Sequence, residues 1–152
     1  MIECSFELNN KPMSVFKCGP YSVPAFSGYE SHANKKFYSC VPDLRPIPPG
    51  RYHIIDRESG GFLGPIRDYY SSRDGWFSLY AIDDNVDDEM YCERVKRGNF
   101  RLHPQGSIGS SKGCITLKSA CDFKLVRALL KSTEKKIITG KNLYSYGMVL
   151  VK

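Results

Sequence analysis

Apolar and polar positions alternate in short runs along most of this chain. Period-two alternation marks a strand that turns one face to a core. Runs over Ile2–Leu8, Met13–Lys17, Lys36–Val41, Tyr52–Arg57, Trp76–Ile82, Asn99–His103, Cys114–Leu117 and Tyr146–Val151 therefore predict strands. Gly60-Gly61 and Arg73-Asp74-Gly75 read as turns between them. Asp43 to Gly50, with Pro46, Pro48 and Pro49, reads as a rigid extended connection unfit for a central strand. One segment keeps a different period. After Ser119, a candidate N-cap with Asp122 in the first turn, Phe123, Val126, Leu129 and Leu130 fall at i, i+3, i+6 and i+7. That spacing predicts a helix ending at Ser132-Thr133. With no internal repeat or low-complexity linker, residues 1–152 are expected to form a single domain. The expected fold is mainly β and β-sandwich-like, with one main α-helix bracing the Cys114 strand.

Composition narrows the class. A chain of 152 residues is long enough to bury one real core. Its 41% hydrophobic and 25% charged residues argue against disorder. Ten Tyr and eight Phe favour β structure. No apolar run approaches the roughly 18–20 residues of a membrane span, so no membrane insertion is expected. The first residues carry Glu3 and no apolar stretch, and so do not read as a secretory signal. The net charge of +6 is scattered. Nucleic-acid binding would need a basic stripe with base-reading or stacking groups, so no nucleic-acid partner is expected. Solubility and attraction to an anionic polymer both stay open.

The acidic run from Asp83 to Glu89 reads as a solvated loop and lacks the glycine and terminal glutamate of an EF-hand. Six cysteines, at 4, 18, 40, 92, 114 and 121, include no C-x-x-C pair, and the three His are dispersed. No metal site or cofactor is expected. Setting Cys114 aside allows at most two disulfides, of open connectivity, in an oxidising compartment.

The candidate chemistry lies in residues 99–117, NFRLHPQGSIGSSKGCITL. Phe100 and Leu102 alternate with Arg101 and His103, and Ile115 and Leu117 alternate with Cys114 and Thr116. If the two strands pair, His103 and Cys114 can face one another. A thiol beside an imidazole is the minimum for cysteine nucleophilic catalysis: His takes the proton and the thiolate attacks. Gly106, Gly109 and Gly113, among Ser107, Ser110 and Ser111, let the loop turn sharply. Gly113 leaves room for a substrate carbonyl, and the amides around Gly113 and Cys114 suit an oxyanion hole. A buried structural thiol after a glycine turn is the competing reading. Arg101, on the His103 face, is a candidate for a substrate carboxylate, with a local ion pair as the alternative. His32 and His53 read as structural or surface residues. Trp76 reads as a core residue.

His103 followed by Ser111-Lys112-Gly113-Cys114-Ile115-Thr116-Leu117 resembles the signature of YkuD-type L,D-transpeptidases. It is closer to a divergent branch, the type VI secretion L,D-transpeptidase effectors, formerly a domain of unknown function. Ala25–Gly28, Pro46–Tyr52, Trp76–Tyr80 and Gly98–Pro104 resemble further landmarks of that branch, from about Tyr21 to the C-terminus. The resemblance of Trp76–Tyr80 implies a rim position for Asp74 and Trp76. Lys112 replaces the second His of the signature, and Thr116 the Arg two residues after the Cys.

The resemblance implies an antibacterial enzyme acting on peptidoglycan stem peptides at the diaminopimelate–D-Ala bond, with Cys114 as nucleophile and His103 as base. Ser111 and Gly113 would join Arg101 at the substrate. It further implies delivery by type VI secretion components, action in the target periplasm and a cognate periplasmic immunity protein. The rival readings are a non-catalytic cell-wall-binding β domain and a cysteine peptidase acting on protein.

Overall fold

The computed structural model describes residues 1–41, 45–57, 75–106 and 113–152. Its main sheet runs β1 (Ile2–Phe6), β2 (Ser14–Cys18), β3 (Tyr21–Ser27), β9 (Ile115–Leu117), β8 (Arg101–Pro104), β5 (Phe77–Ala81), β4 (Gly50–Asp56), β11 (Tyr144–Val151) and β10 (Lys136–Ile137). A parallel pairing of β1 with β11, Ile2 against Gly147 through Phe6 against Val151, closes this sheet on itself as a barrel. Gly147 permits the closure, because a Cβ there would collide with the Ile2 carbonyl. The fold is thus mainly β with one long helix, as expected, and the opposed faces of the anticipated sandwich are opposite walls of one closed sheet.

Alternation explains the interior. Phe6, Phe16, Ile54, Leu79, Leu102, Ile115 and Val149 all point inward and are buried. Helix α1 (Ala120–Ser132) buries Phe123, Val126 and Leu130 and touches β8, β9 and β11. The Ser119 hydroxyl accepts from the Asp122 amide at 3.3 Å, which is the predicted cap.

Several elements differ from the sequence reading. Lys36–Val41 is not a strand. Lys36–Tyr38 forms a single 3₁₀ turn, closed by the Ser39 amide and hydroxyl on the Lys36 carbonyl at 3.0 and 2.7 Å. That leaves Phe37 out in solvent, 88% exposed. β3 was hidden by Pro24, which needs no partner for a missing N–H and gives its carbonyl to the Lys118 amide at 3.0 Å. β6 (Glu89–Cys92) and β7 (Val95–Gly98) form a separate hairpin. Its turn residues, Glu93 and Arg94, have φ of 47° and 67°, a conformation usually signalled by Asn-Gly or Asp-Gly. Two of the landmark segments, Ala25–Gly28 and Pro46–Tyr52, lock together: the Ile47 amide donates to Ser27 Oγ at 2.8 Å, and Gly28 packs where a side chain would strike Pro46.

One disulfide joins Cys40 to Cys92. Cys4 and Cys18 are buried thiols facing each other across β1 and β2, and Cys121 is exposed. The Cys18 thiol beside it, together with burial, raises the Cys4 thiol well above its ordinary value.

Candidate active site

β8 and β9 are neighbours and run parallel, with Leu102 against Ile115 and His103 against Thr116. Leu102, Ile115 and Leu117 enter the core, so the opposite pleats carry Arg101, His103, Cys114 and Thr116 on one shared face. Continuing the register by one residue sets Arg101 level with Cys114. This face is covered: Cys114 is 8% exposed, His103 7% and Thr116 3%.

His103 Nδ1 lies 2.7 Å from the Pro104 carbonyl. A carbonyl only accepts, so Nδ1 carries a proton, and the nitrogen left to act as a base is Nε2. Nε2 stands 3.5 Å from Thr116 Oγ1. The Cys114 thiol is 3.9 Å from the Asn99 carbonyl. Gly113 has φ of +88°, and a Cβ there would lie 2.7 Å from Arg97 Nη2 and from the Phe100 ring. Backbone conformation and space therefore both require glycine immediately before the thiol.

Arg101 grips Asp88 with both arms of its fork, at 2.7 and 2.6 Å, and its Nη1 also donates to the Phe100 carbonyl at 2.8 Å. Burial works against the Arg101 charge, but the Asp88 hydrogen bonds and charge outweigh it, and Cys114 and Tyr80 add to the effect. The register of β8 and β9 sets this guanidinium level with Cys114. Asp88 belongs to the acidic run read as a solvated loop; most of that run is exposed, but Asp88 itself is half-buried as the ion-pair partner of Arg101.

The family model of the Tlde1 domain matches residues 22–141. The chain belongs to this family. It is a family of type VI secretion antibacterial effectors. No curated protein and no solved structure matches the chain. Among the described residues, no helix of this Tlde1 domain is long and apolar enough to cross a membrane.

Two neighbours of the candidate site, Trp76 and Arg97, are not legible in the sequence pattern. Trp76 stacks on His103, ring centroids 4.1 Å apart and planes within 17°. Half-buried, it serves the histidine rather than the apolar core. β5 runs antiparallel to β8 with Phe77 against Leu102, so Trp76 falls level with His103. Only the strand register reveals this neighbour. Arg97, which no sequence pattern sets apart from the other cations, is 5% exposed and packs where a side chain at Gly113 would project. His32 edges onto Tyr38, and His53 lies on β4, opposite Tyr80 and two strands from β8. Ser111, Lys112 and Asp74, with Gly109, Ser107 and Ser110 and the turn at Gly60-Gly61, lie outside the described residues.

Proposed function

We propose that this Tlde1 domain is a thiol-dependent L,D-carboxypeptidase and L,D-transpeptidase acting on peptidoglycan tetrapeptide stems. The observation that carries the reading is the hydrogen bonding of His103: Nδ1 is tied to the Pro104 carbonyl, which leaves Nε2 as the basic nitrogen, beside Thr116 on the strand that follows Cys114. His103 takes the Cys114 proton, and the thiolate attacks the carbonyl of the third stem residue, diaminopimelate. The amides of Gly113 and Cys114 hold the oxyanion. His103 then protonates the departing D-Ala amine, leaving a thioester on Cys114. Water resolves it by hydrolysis, or a D-amino acid by exchange. Arg101, Ser111 and Gly113 line the substrate, with Arg101 favouring the thiolate through its charge. Loss of stems needed for cross-linking accounts for toxicity. A cognate periplasmic immunity protein would protect the producer.

Mass spectrometry of purified muropeptides after incubation with the protein tests this. Tetrapeptide stems should lose D-Ala, or exchange it when a D-amino acid is supplied. Cys114→Ala and His103→Ala should each fold normally and lose at least ~10³-fold in kcat/KM. A Cys114→Ala protein retaining about a tenth of the activity, a change of only ~1.4 kcal/mol, would exclude the mechanism. Casein cleavage with intact muropeptides would favour the protein-peptidase reading.

A further inference from the structure

Arg97 sits on β7, outside the reacting set, in a place that the proposed chemistry leaves unexplained. Its side chain is buried. The guanidinium donates to the carbonyls of Ser39, Pro46 (3.3 Å) and Arg45 (3.3 Å). Its central carbon stands 5.4 Å from the Phe100 ring centroid. Nη2 and that ring are the same two groups that fill the place where a side chain at Gly113 would project. A buried cation is expensive to desolvate, and the return here is geometric. One rigid planar group ties together residues 39, 45 and 46 and forms the wall against which the left-handed Gly113 backbone rests. Cys114 is the next residue. Two residues beyond Arg97, Asn99 offers its carbonyl to the Cys114 thiol.

The disulfide closes the same construction. Cys40 adjoins Ser39, an acceptor of the guanidinium, and Cys92 lies on β6, paired in the hairpin with the strand that carries Arg97. The covalent bridge therefore spans the two segments that the guanidinium spans non-covalently.

We propose that Arg97 is a positioning residue for the Cys114 nucleophile, seated by the Cys40–Cys92 bridge and acting through the Gly113 backbone. The inference rests on Cys114 being the nucleophile of the reading above. Lys at position 97 keeps the charge but loses the planar fork, so it should leave Gly113 without its wall.

The test uses a Cys121→Ser background, which removes the exposed thiol. Arg97→Lys and, separately, the Cys40→Ser/Cys92→Ser pair are compared for kcat and KM on disaccharide tetrapeptide. The rate of iodoacetamide labelling at Cys114 is measured at neutral pH by peptide mass mapping, with thermal unfolding alongside. Arg97→Lys should cut kcat by about tenfold or more with KM within about twofold, and slow Cys114 labelling in parallel. The double serine variant should show the same pattern, severalfold in size.

A purely structural Arg97 would lower the unfolding temperature while the folded protein kept wild-type kcat and labelling; unchanged or faster labelling in a folded variant overturns the proposal. If Arg97→Lys fails to fold, the double serine variant decides alone, and wild-type kcat and labelling there overturn it. If the parent protein leaves muropeptides untouched but its Cys114 labels fast and the variants label slowly, the substrate reading fails while the positioning role stands.

Discussion

His103 is held from three directions: Pro104 on Nδ1, Thr116 at Nε2 and the Trp76 indole on its face. An indole face is a favourable seat for an imidazolium, worth ~0.5–1 kcal/mol at partly exposed sites and more when dry. Trp76→Leu should therefore lower kcat severalfold, whereas Trp76→Phe should recover part of it, as steady-state assays on tetrapeptide stems would report. Arg101→Ala should lower kcat/KM for diaminopimelate stems by an amount fitting the roughly 1.5–3 kcal/mol of a charge-assisted contact. Amidated stems lack that carboxylate. If Arg101 grips it, amidated stems should lose less than free-acid stems; an equal loss would assign Arg101 to Asp88 and the thiol alone. At this scale the sequence was informative. Alternation placed Arg101 and His103 on one pleat and Cys114 and Thr116 on another, because strand periodicity is a local property. It could not reveal Trp76, Asp88 or Arg97, whose roles depend on which strand lies alongside.

Among the elements, the β6–β7 hairpin shows why part of the fold was illegible. Charged residues obscure its alternation, and its turn uses Glu93 and Arg94 at positive φ where a glycine would have announced it. Replacing Arg94 with Gly should relieve that turn and raise the unfolding temperature slightly. The helix, by contrast, was read correctly from Ser119 to Ser132, since cap, stripe and stop all lie within it.

Its C-terminal end carries a pH-sensitive link. Asp56, at the end of β4, accepts from Lys131, Lys135 (2.9 Å) and the Tyr146 hydroxyl. Partial burial pushes the Asp56 carboxyl up, but the hydrogen bonds from Lys131, Lys135 and Tyr146 and the Lys131 charge bring it below its ordinary value. A depressed carboxyl stabilises the fold above its unfolded value of about 3.9. That stabilisation fades as pH falls through the lower, folded value. Urea midpoints of the native protein should therefore drop over this acidic range more steeply than those of Asp56→Asn, and equal slopes would remove Asp56 from the account.

For the whole molecule, compartment becomes the variable. Stems lie outside the inner membrane, so expression confined to the cytoplasm of a test bacterium should be tolerated. Fusion to an export signal should cause swelling or lysis, and Cys114→Ala should abolish that effect. Cysteine-dependent killing by the confined form would point to an intracellular substrate.

The seam between β1 and β11 has a kinetic consequence. Ile2 meets Gly147, so the contact that shuts the barrel joins positions near opposite ends of this sequence. Closing so long a chain segment costs entropy before any contact rewards it, which makes the search slow. Until it succeeds, the facing edges of β1 and β11 stand unpaired, open to the same edges on other molecules. Gly147→Ala, which would obstruct the Ile2 carbonyl, should therefore reveal itself first as slower refolding and lower soluble yield, far from the thiol.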